Sequence, residues 1–115
     1  MEGVKFDLKG KVAIVTGGGK GIGRAIALGL AESGAAVALA ARNQQEIEAV
    51  AEEIIKMGGK AIAVVTDLTI HEQLENLVQK TLTTFGRIDI LVNNAARSFL
   101  RGLLDLREDG WGQGV

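Results

Sequence analysis

Val12-Ala13-Ile14-Val15-Thr16-Gly17-Gly18-Gly19-Lys20-Gly21-Ile22-Gly23 joins an apolar run to a turn almost free of side chains, and an alanine-rich segment follows at once. An apolar run bounded by glycine reads as a strand, and Gly21 onward has the composition of a helix. A turn stripped of side chains lets backbone approach a pyrophosphate. The first N–H groups of the following helix have no partner within the helix and point at the same place. The stretch therefore predicts a strand, a phosphate-cradling turn and a helix, the start of a dinucleotide site.

Working outward, the helix runs from about Gly21 to Ser33, with Gly34 as a left-handed stop that needs no Cβ. Ala36 to Ala41 reads as a second strand. A second helix, from about Gln44 to Met57, carries Ile47, Val50, Ala51, Ile54 and Ile55 at the spacing of one buried stripe, and Gly58 and Gly59 end it. Ala61 to Val65 is a third strand. Thr69-Ile70-His71-Glu72 fits a capping box, predicting a helix from near Ile70 with Leu74, Leu77, Val78, Leu82 and Phe85 on one face and Gly86 at its end. Ile88 to Val92 is a fourth strand and Asn93 follows it. After Ala96 the pattern loosens through Ser98, Phe99 and Gly102, and a last helix is expected from near Arg107 past Trp111.

Strands alternating with helices predict a parallel sheet with crossover connections. Right-handed crossovers then favour the strand order 3-2-1-4, which opens a crevice between the first and fourth strands. The glycine turn and Asn93 should meet at that one edge.

Composition sets the bounds. The 115 residues make one domain, and 47% hydrophobic content suffices for a modest core. Thirteen basic against fourteen acidic residues give a formal charge of -1, which leaves no electrostatic reason to expect nucleic acid or an anionic membrane as partner. The absence of cysteine excludes a disulfide framework, a thiol nucleophile and a zinc–thiolate site, and it is compatible with a reducing, cytoplasmic location. Met1 to Lys9 holds no apolar targeting run, and no stretch approaches membrane-spanning length.

Gly17, Gly21 and Gly23 are separated by three residues and then one, a tighter signal than the general G-x-G-x-x-G. With Asp67-Leu68 after the third strand and Asn93-Asn94-Ala95-Ala96 after the fourth, the chain resembles the short-chain dehydrogenase/reductase family from about Gly10 to Trp111. That family's pattern is T-G-x-x-x-G-x-G, an Asp near the adenine, then N-N-A-G. Ala96 departs from it by standing where glycine is usual, so the turn there is less free to take positive φ. The resemblance implies a Rossmann-like doubly wound α/β fold, truncated after the fourth strand, whose ligand is a nicotinamide dinucleotide. It implies that Gly17, Gly21 and Gly23 form the pyrophosphate turn, Gly19 and Lys20 line it, and Ile22 starts the helix. Asp67 would accept a bond from the adenine amino group, Leu68 would supply backbone beside it, and Asn93 and Ala95 would lie along the ribose. Plainer readings stand beside these: the glycines as a structural turn, Asp67 as a helix-entry residue, and Asn93-Asn94 as a polar turn.

Cofactor preference follows from charge. A carboxylate ending the second strand would bond the ribose hydroxyls of NAD and repel the extra phosphate of NADP. This chain has Ala41 and then Arg42, whose planar charged fork suits a phosphate, and Lys20 can reach the same region. NADP(H) is therefore the expected cofactor and NAD the alternative, unless both cations are simply solvated.

The family's hydride transfer between nicotinamide and a carbonyl or alcohol uses a Ser and a Tyr-x-x-x-Lys pair beyond the N-N-A-G turn. This chain contains no tyrosine. An isolated hydroxyl at Thr16, Ser33 or Ser98 without a base is inert. His71 in a helix first turn and the carboxylates Glu52, Glu53, Asp105, Glu108 and Asp109 read as surface groups, so no catalytic and no metal residue is assigned. The expectation is the cofactor-binding half of an oxidoreductase, binding cofactor without catalysing alone. The alternative is a non-catalytic dinucleotide-binding or interaction module, and a nucleotide-binding transferase is disfavoured by the Asp67 and Asn93 motifs. With no later strand to pair with, the apolar edge of the fourth strand is expected to drive self-association or pairing with a full-length relative.

Overall fold

The computed structural model describes residues 7–94. Its elements are β1 (Val12–Thr16), α1 (Gly21–Glu32), β2 (Ala36–Ala41), α2 (Gln44–Lys56), β3 (Ala61–Val65), α3 (His71–Phe85) and β4 (Ile90–Asn93). The four strands form one sheet in the order β3-β2-β1-β4, and every neighbouring pair is parallel. The fold is the Rossmann-like arrangement expected from the alternation of elements.

Alternating side chains divide the sheet into two faces. On one, Val15, Val37 and Leu39 meet Ala27 and Ala31 of α1 and Ile47, Val50 and Ile54 of α2. On the other, Ile14, Ala38, Ala40 and Val64 meet Leu77 of α3. All five residues of β1 are buried, as befits a strand covered on both faces, which is why its sequence is a continuous apolar run. Register pairs Thr16 with Ala40 on one side and with Asn93 on the other, so the turn after β1 and the end of β4 lie side by side.

The boundaries of β1, β2 and β3 match the sequence reading, and three details do not. Ile55 and Leu82, both expected in buried stripes, are 56% and 39% exposed. Each follows a central buried residue, Ile54 or Thr81, by one position, and about 100° of helical rotation carries it off the stripe. Thr81 is buried instead of Leu82 because its hydroxyl donates to the Leu77 carbonyl at 2.7 Å, which satisfies it within its own helix.

The expected capping box does not form. Ile70 occupies the N-cap of α3 without a side-chain bond, and the Thr69 hydroxyl donates to Asp67 Oδ1 at 2.6 Å. The hydroxyl donates to the ionised carboxylate two residues away, and α3 starts at His71 with Ile70 as its N-cap, one residue later than a box capped by Thr69 requires. Gln73 Oε1 reaches back to accept the Asp67 amide at 2.7 Å.

Strand β4 begins at Ile90 rather than Ile88, because Asp89 anchors the entry by its side chain. Asp89 Oδ2 accepts the Val12 amide at 2.9 Å while the Asp89 amide donates to the Val12 carbonyl at 2.8 Å. The Arg87 guanidinium donates to the same carboxylate and, with the Val12 amide, holds it below the usual aspartate range. A carboxylate depressed in the folded state contributes stability above its unfolded pKa of about 3.9, and that contribution is lost as pH falls through the lower folded value. Stability to urea is thus expected to be level near neutrality and to decline below about pH 4. Asp89→Asn should make that decline shallower; an unaltered acid slope would remove Asp89 as a cause.

Candidate functional site

The site is built from the carboxyl ends of β1, β2 and β4. At the end of β1 the Gly17 amide donates to the Ala40 carbonyl at 2.8 Å, and Gly17 takes a φ of +67° that turns the chain out of the sheet. Its carbonyl accepts from Asn94 Nδ2 at 3.2 Å. Beneath it, the buried Thr16 hydroxyl accepts the Asn94 amide at 3.1 Å. The turn is therefore held from both neighbouring strands.

Gly23 closes the arrangement from the helix side. A Cβ there would lie 2.1 Å from the Gly17 carbonyl oxygen, so only glycine lets α1 come this close to the turn. Lys20 stands at the N-cap of α1 in extended conformation without a side-chain cap. Among the described residues nothing accepts from the amides of Gly18, Gly19 or Lys20, and the first amides of α1 have no partner within the helix. A row of unpaired donors at a helix N-terminus attracts an anion. These donors, and the clearance left by the missing side chains, fit the diphosphate of a dinucleotide.

The other expected residues divide into near and outlying. Ile22, in the first turn of α1, is 71% exposed at the mouth of the turn. Lys20 reaches the first turn of α2, where its Nζ lies 3.6 Å from Glu46 Oε2. Arg42 is exposed just after β2, near enough to Asp67 for their charges to interact. Leu68 is buried, leaving its backbone as its only polar contribution. Asp67 Oδ1 accepts both the hydroxyl and the amide of Thr69 at the entry to α3. Those bonds, with a smaller contribution from Arg42, pull its pKa down, so the carboxylate stays ionised and an acceptor.

Asn93 closes β4 opposite Thr16, at the same end of the sheet as Gly17. Ala95, Ala96, Ser98 and the helix expected near Arg107 lie outside the described residues. Asn94 was not among the expected ligand residues, yet it is the side chain that clamps the turn. Its signal in the sequence was the doubled asparagine, of which the second supplies the clamp.

Among the described residues no group of His, Cys, Asp and Glu could hold a metal ion, and no helix is long and apolar enough to cross a membrane.

A parallel sheet in the order 3-2-1-4 with a bare turn between its first strand and helix defines a Rossmann-type α/β protein. The profile described as short chain dehydrogenase matches residues 11–115, and the chain belongs to that family. A short-chain dehydrogenase/reductase of Aspergillus oryzae is 42% identical over 109 residues, which cover 93% of this chain and 42% of the relative. A short-chain dehydrogenase/reductase homolog of Bacillus subtilis is 45% identical over 87 residues, covering 75% of this chain and 80% of the relative. The crystal structure of a metagenomic short-chain oxidoreductase in complex with NADP superposes with a TM-score of 0.70 at 40% identity, over 74% of this chain and 38% of that one. The chain thus spans about two fifths of the length of the Aspergillus relative and of the solved structure.

Proposed function

We propose that this chain binds the diphosphate of a nicotinamide dinucleotide, NADP(H) in preference to NAD(H), as the cofactor-binding part of an oxidoreductase acting on a carbonyl or an alcohol. The observation that carries the reading is the clamped glycine turn, with Gly23 pressed on the Gly17 carbonyl and the turn amides left without acceptors. The amides from Gly18 to Gly23 would hold the diphosphate, Asp67 would accept from the adenine, and Lys20 and Arg42 would meet the phosphate on the adenosine ribose. Asn93, with Ala95 beyond it, would border the nicotinamide ribose. When bound, the cofactor supplies or accepts the hydride. This chain's own part is to fix the cofactor's position and to neutralise its charge. A relative of known structure in complex with NADP supports the choice of ligand.

Calorimetric titration tests the reading. NADPH should bind more tightly than NADH, and Arg42→Ala should weaken NADPH about tenfold, the scale of one charge-assisted contact, while leaving NADH nearly unchanged. NADH binding as tightly as NADPH would remove the preference.

A second reading, a non-catalytic dinucleotide-binding or interaction module, is favoured by one comparison. The 87 matched residues make up 80% of the Bacillus subtilis relative, which is thus built mostly from this same region. Strand β4 lies at the edge of the sheet among the described residues, with Leu91 44% exposed. An apolar edge recruits further strands. Sedimentation of the 115-residue chain at micromolar concentration should accordingly give species larger than a monomer; a clean monomer would count against edge pairing.

A further inference from the structure

The two cations assigned to the ribose phosphate do not stand alone. Lys20 has the Glu46 carboxylate 3.6 Å from its ammonium, and Arg42 has Asp67 as its acidic neighbour, so the four charges cancel. Of the two carboxylates, Asp67 is committed to the Thr69 amide and hydroxyl, whereas the Glu46 carboxylate has Lys20 as its ion-pair partner and otherwise serves only the N-terminus of α2.

Glu46 is held against the turn by backbone. Its amide donates to Asn43 Oδ1 at 3.1 Å, which fixes it in the first turn of α2, where the helix N-terminus favours a negative side chain. A Cβ on Gly19 would lie 2.7 Å from Glu46 Cβ and 3.2 Å from its Oε1, so the carboxylate rests directly on the glycine turn. The Lys20 side chain is 82% exposed and that of Glu46 34%, so the lysine is the partner with freedom to leave.

We propose that Glu46 is a specificity-determining residue, a fixed carboxylate that restrains Lys20 and opposes the extra phosphate of NADP(H), narrowing the preference for it over NAD(H). The proposal rests on the cofactor reading above. A ribose phosphate that engages Lys20 competes with Glu46 for the ammonium and leaves that carboxylate uncompensated beside the turn. NAD(H) carries only hydroxyls at the same position, so Glu46 acts on it solely through the diphosphate that both cofactors share. The ratio of the two affinities isolates its effect on the ribose phosphate.

The test is a set of Kd values for NADPH and NADH on the 115-residue chain, measured for wild type, Glu46→Gln, Lys20→Met and the double variant at low and physiological salt. Glu46→Gln should tighten NADPH about three- to tenfold and change NADH less than twofold, with the gain shrinking as salt rises. Lys20→Met should weaken NADPH, and in the Lys20→Met background Glu46→Gln should yield a smaller gain because the restraint it relieves is gone. Adenosine 2′,5′-bisphosphate against ADP, as smaller probes, should repeat the pattern. Thermal unfolding of each variant establishes that it is folded, and Glu46→Ala provides a second removal of the charge. Wild-type binding that is intact while Glu46→Gln shifts both cofactors equally, or neither, overturns the proposal and leaves the cofactor reading standing. Failure of the folded wild type to bind either cofactor overturns both.

Discussion

Gly23→Ala is expected to destabilise the fold by about 3 kcal/mol and to abolish cofactor binding, the upper range for forcing a methyl group into a packed site. The new Cβ would fall 2.1 Å from the Gly17 carbonyl oxygen, 2.9 Å from its carbon and 2.8 Å from Asn94 Nδ2. Two of those atoms are backbone, fixed by the Gly17 bond to Ala40 at the end of β2, so they cannot swing aside as a flexible side chain would. Relief requires α1 to move off the sheet or the turn to open, and either displaces the amides that face the diphosphate. Gly29, in the same helix, is the matched control. It is exposed, and a Cβ there meets nothing within 4 Å. Gly29→Ala should therefore stabilise the protein by about 0.5–1 kcal/mol through helix propensity and a less flexible unfolded chain. Urea unfolding of both variants checks the pair. Equal effects would show that the turn does not bear on α1.

Leu39→Ala should cost about 2–5 kcal/mol, the range for emptying a fully buried leucine site. Leu39 is 0% exposed in β2 and packs with Val15, Ile47 and Ile54. It also lies directly under the site, since a Cβ on Gly18 would come within 2.7 Å of Leu39 Cδ2. Removing it leaves the glycine turn without a floor, so cofactor affinity should fall along with the unfolding midpoint. A folded Leu39→Ala protein with wild-type affinity would show that the core under the turn does not shape it.

The sheet was legible because its physics is local and repetitive. Buried parallel strands must be apolar throughout, and glycine must end the helices where the chain turns left-handed, as Gly34 and Gly86 do at φ of +105° and +86°. Strand order followed from the handedness of crossovers. Helix stripes were legible in phase and less so in width: Ile55 and Leu82 carry the right chemistry one residue beyond the buried arc. The entry to α3 departs from the capping box because the Thr69 hydroxyl can accept a helix amide or donate to a neighbouring carboxylate, and sequence spacing does not rank the two. The ionised Asp67 wins over the cap.

At the site, the glycines announced themselves by their spacing, whereas two other features depend on contacts between distant residues. Asn94 clamps Gly17 across 77 positions in the chain. Glu46 faces Lys20 because Gly19 lets α2 approach, and no local pattern reports that charge pairing. The proposed preference for NADP(H) comes from the cations Lys20 and Arg42. The fold supplies an acidic neighbour to each, which predicts a more modest preference than the sequence implied.

The most direct test follows the backbone amides of Gly18, Gly19, Lys20, Ile22 and Gly23 by heteronuclear NMR as NADPH is added to the folded chain. Diphosphate held by the turn should shift these resonances together, with one saturating affinity, and more than those of residues at the opposite end of the strands such as Lys11 and Lys60. Saturable binding that leaves the turn amides unmoved would contradict the claim that they hold the cofactor.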